Sequence, residues 1–189
     1  WIGDGRMAQY WNAIHEKKWK ATRINDKPGI TLAYISGVGM NFDSSYHNGS
    51  FEKQENFFPR NDTDKFQKTI FFYRLPILIF NGLFSLFFFW IIFRLTGNVW
   101  IGLWTMILII LSPIILGISQ IVNPDALSWT FSSAALFSFL LLLKERSKKI
   151  ILLAGLLLGL ALATKYIALI LFYFFFFAWL AYIVFKYDS

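Results

Sequence analysis

From Ile70 to Phe185 the chain is built of four long apolar runs, Ile70 to Phe93, Val99 to about Ile121, Ala126 to Leu143 and Ile150 to Phe185, separated by short polar turns. A helix needs about 20 apolar residues to cross ~30 Å of hydrocarbon, and the first three runs are close to that length. The fourth is 36 residues long. As one helix at ~1.5 Å per residue it would reach ~54 Å and overshoot any bilayer. It must break, and its only polar interruption is Thr164-Lys165. These runs predict an all-α, polytopic membrane protein of about five membrane helices, with a break at Lys165 near the outer boundary. A lysine at that depth has to face protein or water, because exposing it to lipid costs roughly 2.5 kcal/mol or more.

Composition agrees, with 57% hydrophobic residues, 20% aromatic and only 15% charged. Charge is unevenly spread: residues 1–69 hold 18 of the 29 charged side chains and residues 70–189 the other 11. The expected organisation is an extracytoplasmic loop with juxtamembrane helices over 1–69, then a transmembrane module over 70–189. The chain opens on Trp1 and stops at Ser189 just after an apolar run, which reads as a fragment truncated at both ends. The net charge of +7 forms no basic stripe interleaved with exposed aromatics, so nucleic acid is not an expected partner. Without cysteine there is no disulfide or thiol chemistry, and two histidines, His15 and His47, are too few for a typical histidine metal centre.

The loop "KERSKK", Lys144 to Lys149, carries four basic residues against one acid, and Arg94 lies two crossings away on the same side. The positive-inside rule makes that side cytoplasmic, so the Asn123-Pro124-Asp125 turn and residues 1–69 are expected outside. In the polar module, "DGRMAQYWNAIHEKKWK" reads as a helix with Asp4 at its cap and Met7, Tyr10, Trp11 and Ile14 on one face. Its tryptophans and lysines suit the headgroup layer. Pro28 to Gly39 reads as a second such helix, and Asn41 to Lys68 as a surface loop.

Several polar residues have two readings. Asp4 is a helix cap or a general base at the outer face, and the two are compatible. Asp26 and Lys27 are a solvated turn before Pro28, or a phosphate-binding lysine with an orienting acid. Asn123, Pro124 and Asp125 make a helix start unaided. Arg74 snorkels to the interface or reaches a lipid phosphate there. Gly155, Gly159, Ser128, Ser132 and Ala135 read as helix-packing surfaces.

The order "GDGRMAQYWNAIHEKKWKATRINDKPGITLAYI", "YRLPILIFNGLFSLFFFWIIFRLTGN", "NPDALSWTFSSAALFSFLLLL" and "KKIILLAGLLLGLALATKYIALI" resembles the dolichyl-phosphate-mannose protein mannosyltransferases. It is equally similar to the aminoarabinose transferase of lipid A; both are C-class (GT-C) glycosyltransferases. The resemblance implies that Asp4 matches the family's catalytic aspartate and that Asp26, Lys27 and Pro28 match its acid-lysine-proline motif. Gly5 stands where a glutamate is common, and Asp26 is the shorter of the two acids found at its position.

By the same resemblance, the activated sugar arrives outside the cell membrane on a polyprenyl phosphate, and an acceptor hydroxyl on protein, lipid or glycan displaces it with inversion. Asp4 is the expected base and Asp26 its companion acid, with Lys27, Arg6 and Arg74 on the donor phosphate and Asp125 and Lys165 as a further outer-face site. No cofactor or metal is called for. The alternative is a non-catalytic membrane protein, a transporter or assembly scaffold, with loop carboxylates that only cap helices.

Overall fold

The computed structural model describes residues 6–23, 29–42, 46–47, 50–51 and 63–187. The first helix, α1 (Arg6–His15), stops earlier than its sequence pattern predicts. Lys17 takes a left-handed φ of 55°. The amide of Lys18 then bonds the carbonyl of Ala13 at 2.8 Å, and that of Lys17 bonds Ile14 at 3.0 Å. These two bonds tie off the last helical carbonyls and turn the chain into a short 3-10 segment, Trp19–Thr22. On the inner face Met7, Tyr10 and Ala13 are buried.

The second helix, α2 (Ile30–Gly37), continues as a 3-10 segment, Val38–Phe42. The expected loop over 41–68 is only partly that. Two short strands, β1 (Tyr46–His47) and β2 (Ser50–Phe51), pair antiparallel. Helix α3 (Thr63–Thr96) starts before the apolar run, with Asp64 in its first turn complementing the helix dipole. The change of composition at residue 70 therefore falls inside one continuous helix.

Within α3, Pro76 removes the amide that would bond the carbonyl of Phe72. The α2 region packs against this weakened turn. Ser36 Oγ donates to the carbonyl of Tyr73 at 2.7 Å. Gly39 lies so close that an added Cβ would stand 2.1 Å from the Phe72 oxygen.

Among the described residues, three helical stretches are long and apolar enough to cross a membrane, Ile70–Thr96, Asp125–Glu145 and Tyr166–Val184, and the chain is a multi-pass membrane protein. The second apolar run is not one straight helix, contrary to expectation. It forms α4 (Val99–Ile110) and α5 (Pro113–Ser119), bent by 49°. Pro113 cannot donate to the α4 ladder, and the Ser112 hydroxyl accepts the Ile115 amide to start a new helix.

Helix α6 (Asp125–Glu145) settles how that bent pair runs. Arg94 near the end of α3 binds Glu145 at the end of α6 in a two-pronged pair, Nε to Oε1 at 3.0 Å and Nη2 to Oε2 at 2.7 Å. Further back along the same helices, in the second turn of α6, Thr130 Oγ1 donates to Asn81 Oδ1 at 2.8 Å. Helices α3 and α6 are thus parallel and in register, so α4 and α5 together make the return pass. Asn81 Nδ2 also donates to Ser119 Oγ at 2.9 Å, which pins the end of α5 at that height.

Helix α7 (Lys148–Thr164) runs back along α6, and its C-terminal end meets the start of α6. The chain breaks at Lys165, as the length of the run requires, with extended dihedrals of −156° and 133°. A 3-10 turn, Tyr166–Ala168, follows, and α8 (Leu169–Tyr187) descends again. Phe139 stacks on Phe175 at 4.3 Å, and Arg146 donates to the Tyr182 hydroxyl, which aligns α8 with α6. The fold is all-α and polytopic. Its core gathers Met7 of α1 and Leu32 of α2 with Tyr73, Phe88, Phe131 and Leu157 of the bundle.

Gly155 and Gly159 do not pack as expected. Among the described residues nothing lies within 4 Å of a Cβ added at either. The packed face of α7 is instead Ala154, Leu157 and Ala161, while Ser128 and Ala135 of α6 are buried as expected.

Candidate functional site

The break at Lys165 and the start of α6 place an acid and a base at the same end of the bundle. Lys165 Nζ donates to Asp125 Oδ1 at 2.5 Å. The other carboxylate oxygen, Oδ2, accepts Asn123 Nδ2 at 2.6 Å, and Asn123 Oδ1 accepts the Asp125 amide at 2.6 Å. The helix start thus differs from the expected asparagine cap: Pro124 holds the cap position, and Asn123 one residue earlier bonds the first helical amide and orients the carboxylate. With both oxygens engaged, Asp125 is a counter-ion rather than a free proton acceptor. Lys165 has three donor protons and uses one on Asp125, while its side chain remains 43% exposed. The remaining donors suit an anionic ligand.

Next to Lys165, Thr164 is fully buried and joins the bundle to α2. Its hydroxyl donates to the Leu160 carbonyl at 2.7 Å and lies 2.7 Å from the hydroxyl of Thr31 on α2. Sequence reasoning noted Thr164 only as a polar interruption and passed over Thr31. Its position just after the Asp26-Lys27-Pro28 motif was the available signal.

Arg74 belongs at the same height. It precedes Asn81 by seven residues, as Asn123 precedes Thr130. Because α3 and α6 are parallel and in register at Asn81 and Thr130, Arg74 and the start of α6 both lie toward this end of the bundle. Its Nε is buried without a hydrogen-bond partner among the described residues. Arg6 stands at the first position of α1, next to the buried Met7. Asp4, Asp26 and Lys27 lie outside the described residues, so the structure brings together only Asp125 and Lys165 directly.

Beside these polar groups, Trp11 Nε1 donates to the Ala33 carbonyl at 2.9 Å, and Tyr10 donates to the Tyr34 hydroxyl at 3.1 Å. Burial, reinforced by Tyr34, pushes the Tyr10 phenol up to about 12. These contacts lock α1 onto α2 with edge-on aromatic packing.

A family model described as dolichyl-phosphate-mannose-protein mannosyltransferase matches residues 48–189. The chain belongs to this family. No curated protein and no solved structure matches it. Membership in the mannosyltransferase family makes the chain part of a membrane glycosyltransferase. The matched region contains Arg74, Asp125 and Lys165 and excludes the segment that carries Asp4, Asp26 and Lys27. Their roles therefore rest on their resemblance to the family pattern and on the chemistry of the site. The family's reaction class favours an enzyme over a transporter or assembly scaffold.

Proposed function

We propose that this mannosyltransferase-family chain moves a sugar from a polyprenyl phosphate to an acceptor hydroxyl at the outer face of the cell membrane, with inversion. The observation that carries the reading is the Lys165–Asp125 pair at a helix break, joined through Thr164 and Thr31 to the helix that follows Asp26, Lys27 and Pro28. Lys27 precedes Thr31 by four residues, and the chain limits that separation to about 15 Å between Cα atoms. Two lysines and Arg74 are thereby available to one end of the bundle, and a lipid-linked phosphate anchored in the membrane would meet them there.

In the reaction, Asp4 takes the proton from the acceptor hydroxyl as its oxygen bonds to the anomeric carbon. The bond from that carbon to the phosphate oxygen breaks with its electron pair, and the polyprenyl phosphate leaves. The leaving group is already a weak base and needs no acid. Its growing charge is met by Lys27 with Arg6 and Arg74, while Asp26 orients Lys27. Lys165, steadied by Asp125, adds a further cation.

The test is transfer from a panel of polyprenyl-phosphate sugars by the full-length protein in liposomes. Asp4→Asn should fold normally, since asparagine caps a helix about as well as aspartate, yet lose about 100-fold or more in rate. Lys27→Ala should weaken donor use, with partial recovery in Lys27→Arg. Parental transfer by a correctly folded Asp4→Asn protein would remove the base from this mechanism.

A further inference from the structure

Only Arg146 and Ser147 separate α6 from α7, so the end of one helix and the start of the next are held side by side. Arg146 makes the turn with a left-handed φ of 50°, and its amide closes α6 on the Leu142 carbonyl at 2.8 Å. Around this turn the sequence places Lys144, Glu145, Arg146, Lys148 and Lys149, and the Arg94 guanidinium reaches the same place from α3. Five cations thus meet one carboxylate.

Some of these charges are satisfied within the bundle. Arg94 and Glu145 pair through both prongs, and Lys144 Nζ donates to the Arg94 and Leu95 carbonyls at 3.0 and 2.8 Å, where it caps α3. The others are not. Arg146 lies on the Tyr182 ring, its Cζ 5.5 Å from the centroid, and donates to that hydroxyl rather than to an acid. Lys148 and Lys149 are exposed, and among the described residues neither has an acid partner. Both stand in the first turn of α7, where the helix dipole opposes a positive charge. Two ammoniums and a guanidinium so close along the chain repel one another, and an anion from outside the chain offsets that cost.

The depth of the cluster decides which anion is at hand. Helix α6 is long and apolar enough to cross a membrane from Asp125 to Glu145, so the turn after it lies where a crossing helix leaves the hydrocarbon. Trp90 beside Arg94 and Tyr182 beside Arg146 are aromatics of the kind enriched at that level. The phosphates of phospholipids lie in the same layer. A guanidinium offers a phosphate two parallel donors, and each lysine offers up to three. From Arg146 to Lys149 the chain spans at most about 11 Å between Cα atoms, so the three side chains reach one headgroup.

We propose that the α6–α7 turn binds the headgroup of an anionic phospholipid, with Arg146, Lys148 and Lys149 as its ligands. A headgroup of net negative charge is selected over a zwitterionic one, because the latter brings a cation of its own into the cluster. The site lies at the opposite end of the bundle from Asp125 and Lys165 and is independent of the sugar-transfer reading. Arg146 also ties the turn to α8, so an occupied site steadies α8 against α6 at this end.

The test uses the full-length protein in phosphatidylcholine nanodiscs with a minor share of phosphatidylglycerol, bound lipid being read by native mass spectrometry and stability by thermal unfolding. The parent should retain phosphatidylglycerol and unfold at a higher temperature than in phosphatidylcholine alone. Lys148→Gln with Lys149→Gln should weaken retention about twentyfold and Arg146→Gln about fivefold, since each basic side chain at a charged lipid surface adds roughly fivefold in affinity. In pure phosphatidylcholine the lysine pair should unfold as the parent does; if it unfolds earlier, Lys149→Gln alone replaces it, with about a fivefold loss expected. Lys17→Gln with Lys20→Gln removes the same charge beyond α1 and should retain the lipid as the parent does. Equal retention of both lipids by the parent, parental retention by the lysine variants, or an equal loss in the Lys17 and Lys20 control would overturn the proposal. So would sn-glycerol 3-phosphate stabilising the parent in phosphatidylcholine as much as phosphatidylglycerol does, which would give the cluster to a soluble anion.

Discussion

Lys165 shows how one side chain becomes useful through its neighbours. An isolated ammonium at the edge of a bilayer is costly, and Asp125 offsets that cost without enclosing it, since both side chains stay about two-fifths exposed. An ion pair that open contributes at most about 1 kcal/mol to stability. Lys165→Met should therefore change the unfolding temperature little and raise the KM for a lipid-phosphate donor about tenfold or more. Unchanged donor KM, read in the same titration as the parent, would remove Lys165 from the phosphate site. Tyr10 makes a separate case. Its phenol is neutral in the folded protein up to about 12, against 10.0 when exposed. Between those values the folded state binds more protons than the unfolded one, so this contribution to stability is intact below about pH 10 and is lost as pH rises toward 12. A stability-against-pH curve should fall over that window in the parent and be flatter there in Tyr10→Phe.

At the scale of elements, α2 and the 3-10 turn after it are held by what α3 lacks. Pro76 frees a carbonyl, and the backbone of Gly39 comes within reach of it because glycine carries no Cβ. Gly39→Ala would drive a methyl into the Phe72 carbonyl, which should cost about 2 kcal/mol and loosen α2 from the bundle. Gly155→Ala and Gly159→Ala meet open space in the same helical context and should be neutral or stabilising by up to about 1 kcal/mol. Thermal unfolding of the three variants in detergent checks the contrast, and equal effects would contradict the packing described for α2. The same face of glycines reads in sequence as a helix-packing motif. Lipid is as apolar as a protein core, so a hydrophobic pattern in a membrane helix does not say which face meets protein.

Across the whole molecule, the chain traverses the bundle in alternating directions from α3 to α8, with the Asp125–Lys165 pair at one end and the Arg94–Glu145 pair at the other. The basic loop at Lys144 to Lys149 predicts, by the positive-inside rule, that the second end faces the cytoplasm. Cysteines placed at Ser45 and Asn123 should then react with an impermeant thiol reagent in intact cells, and one at Ser147 only after permeabilisation. The chain has no cysteine of its own to obscure the result. Labelling of Ser147→Cys alone would reverse the topology. The helical class, the long apolar passes and the break at Lys165 were legible without coordinates, because each follows from segment length against bilayer thickness, a local quantity. That two helices precede the bundle was legible too, through the spacing of their apolar residues, though not the left-handed Lys17 that ends α1 early. The bend at Ser112-Pro113 lay hidden in a continuous apolar run, since membrane helices tolerate proline when neighbours satisfy the freed groups. Hydrogen bonds from Asn81 to Ser119 and Thr130, and between Thr31 and Thr164, join residues 38 to 133 positions apart. Such contacts depend on the height and rotation at which each helix settles. Packing summed over every interface sets those two quantities, and no short stretch of sequence carries them.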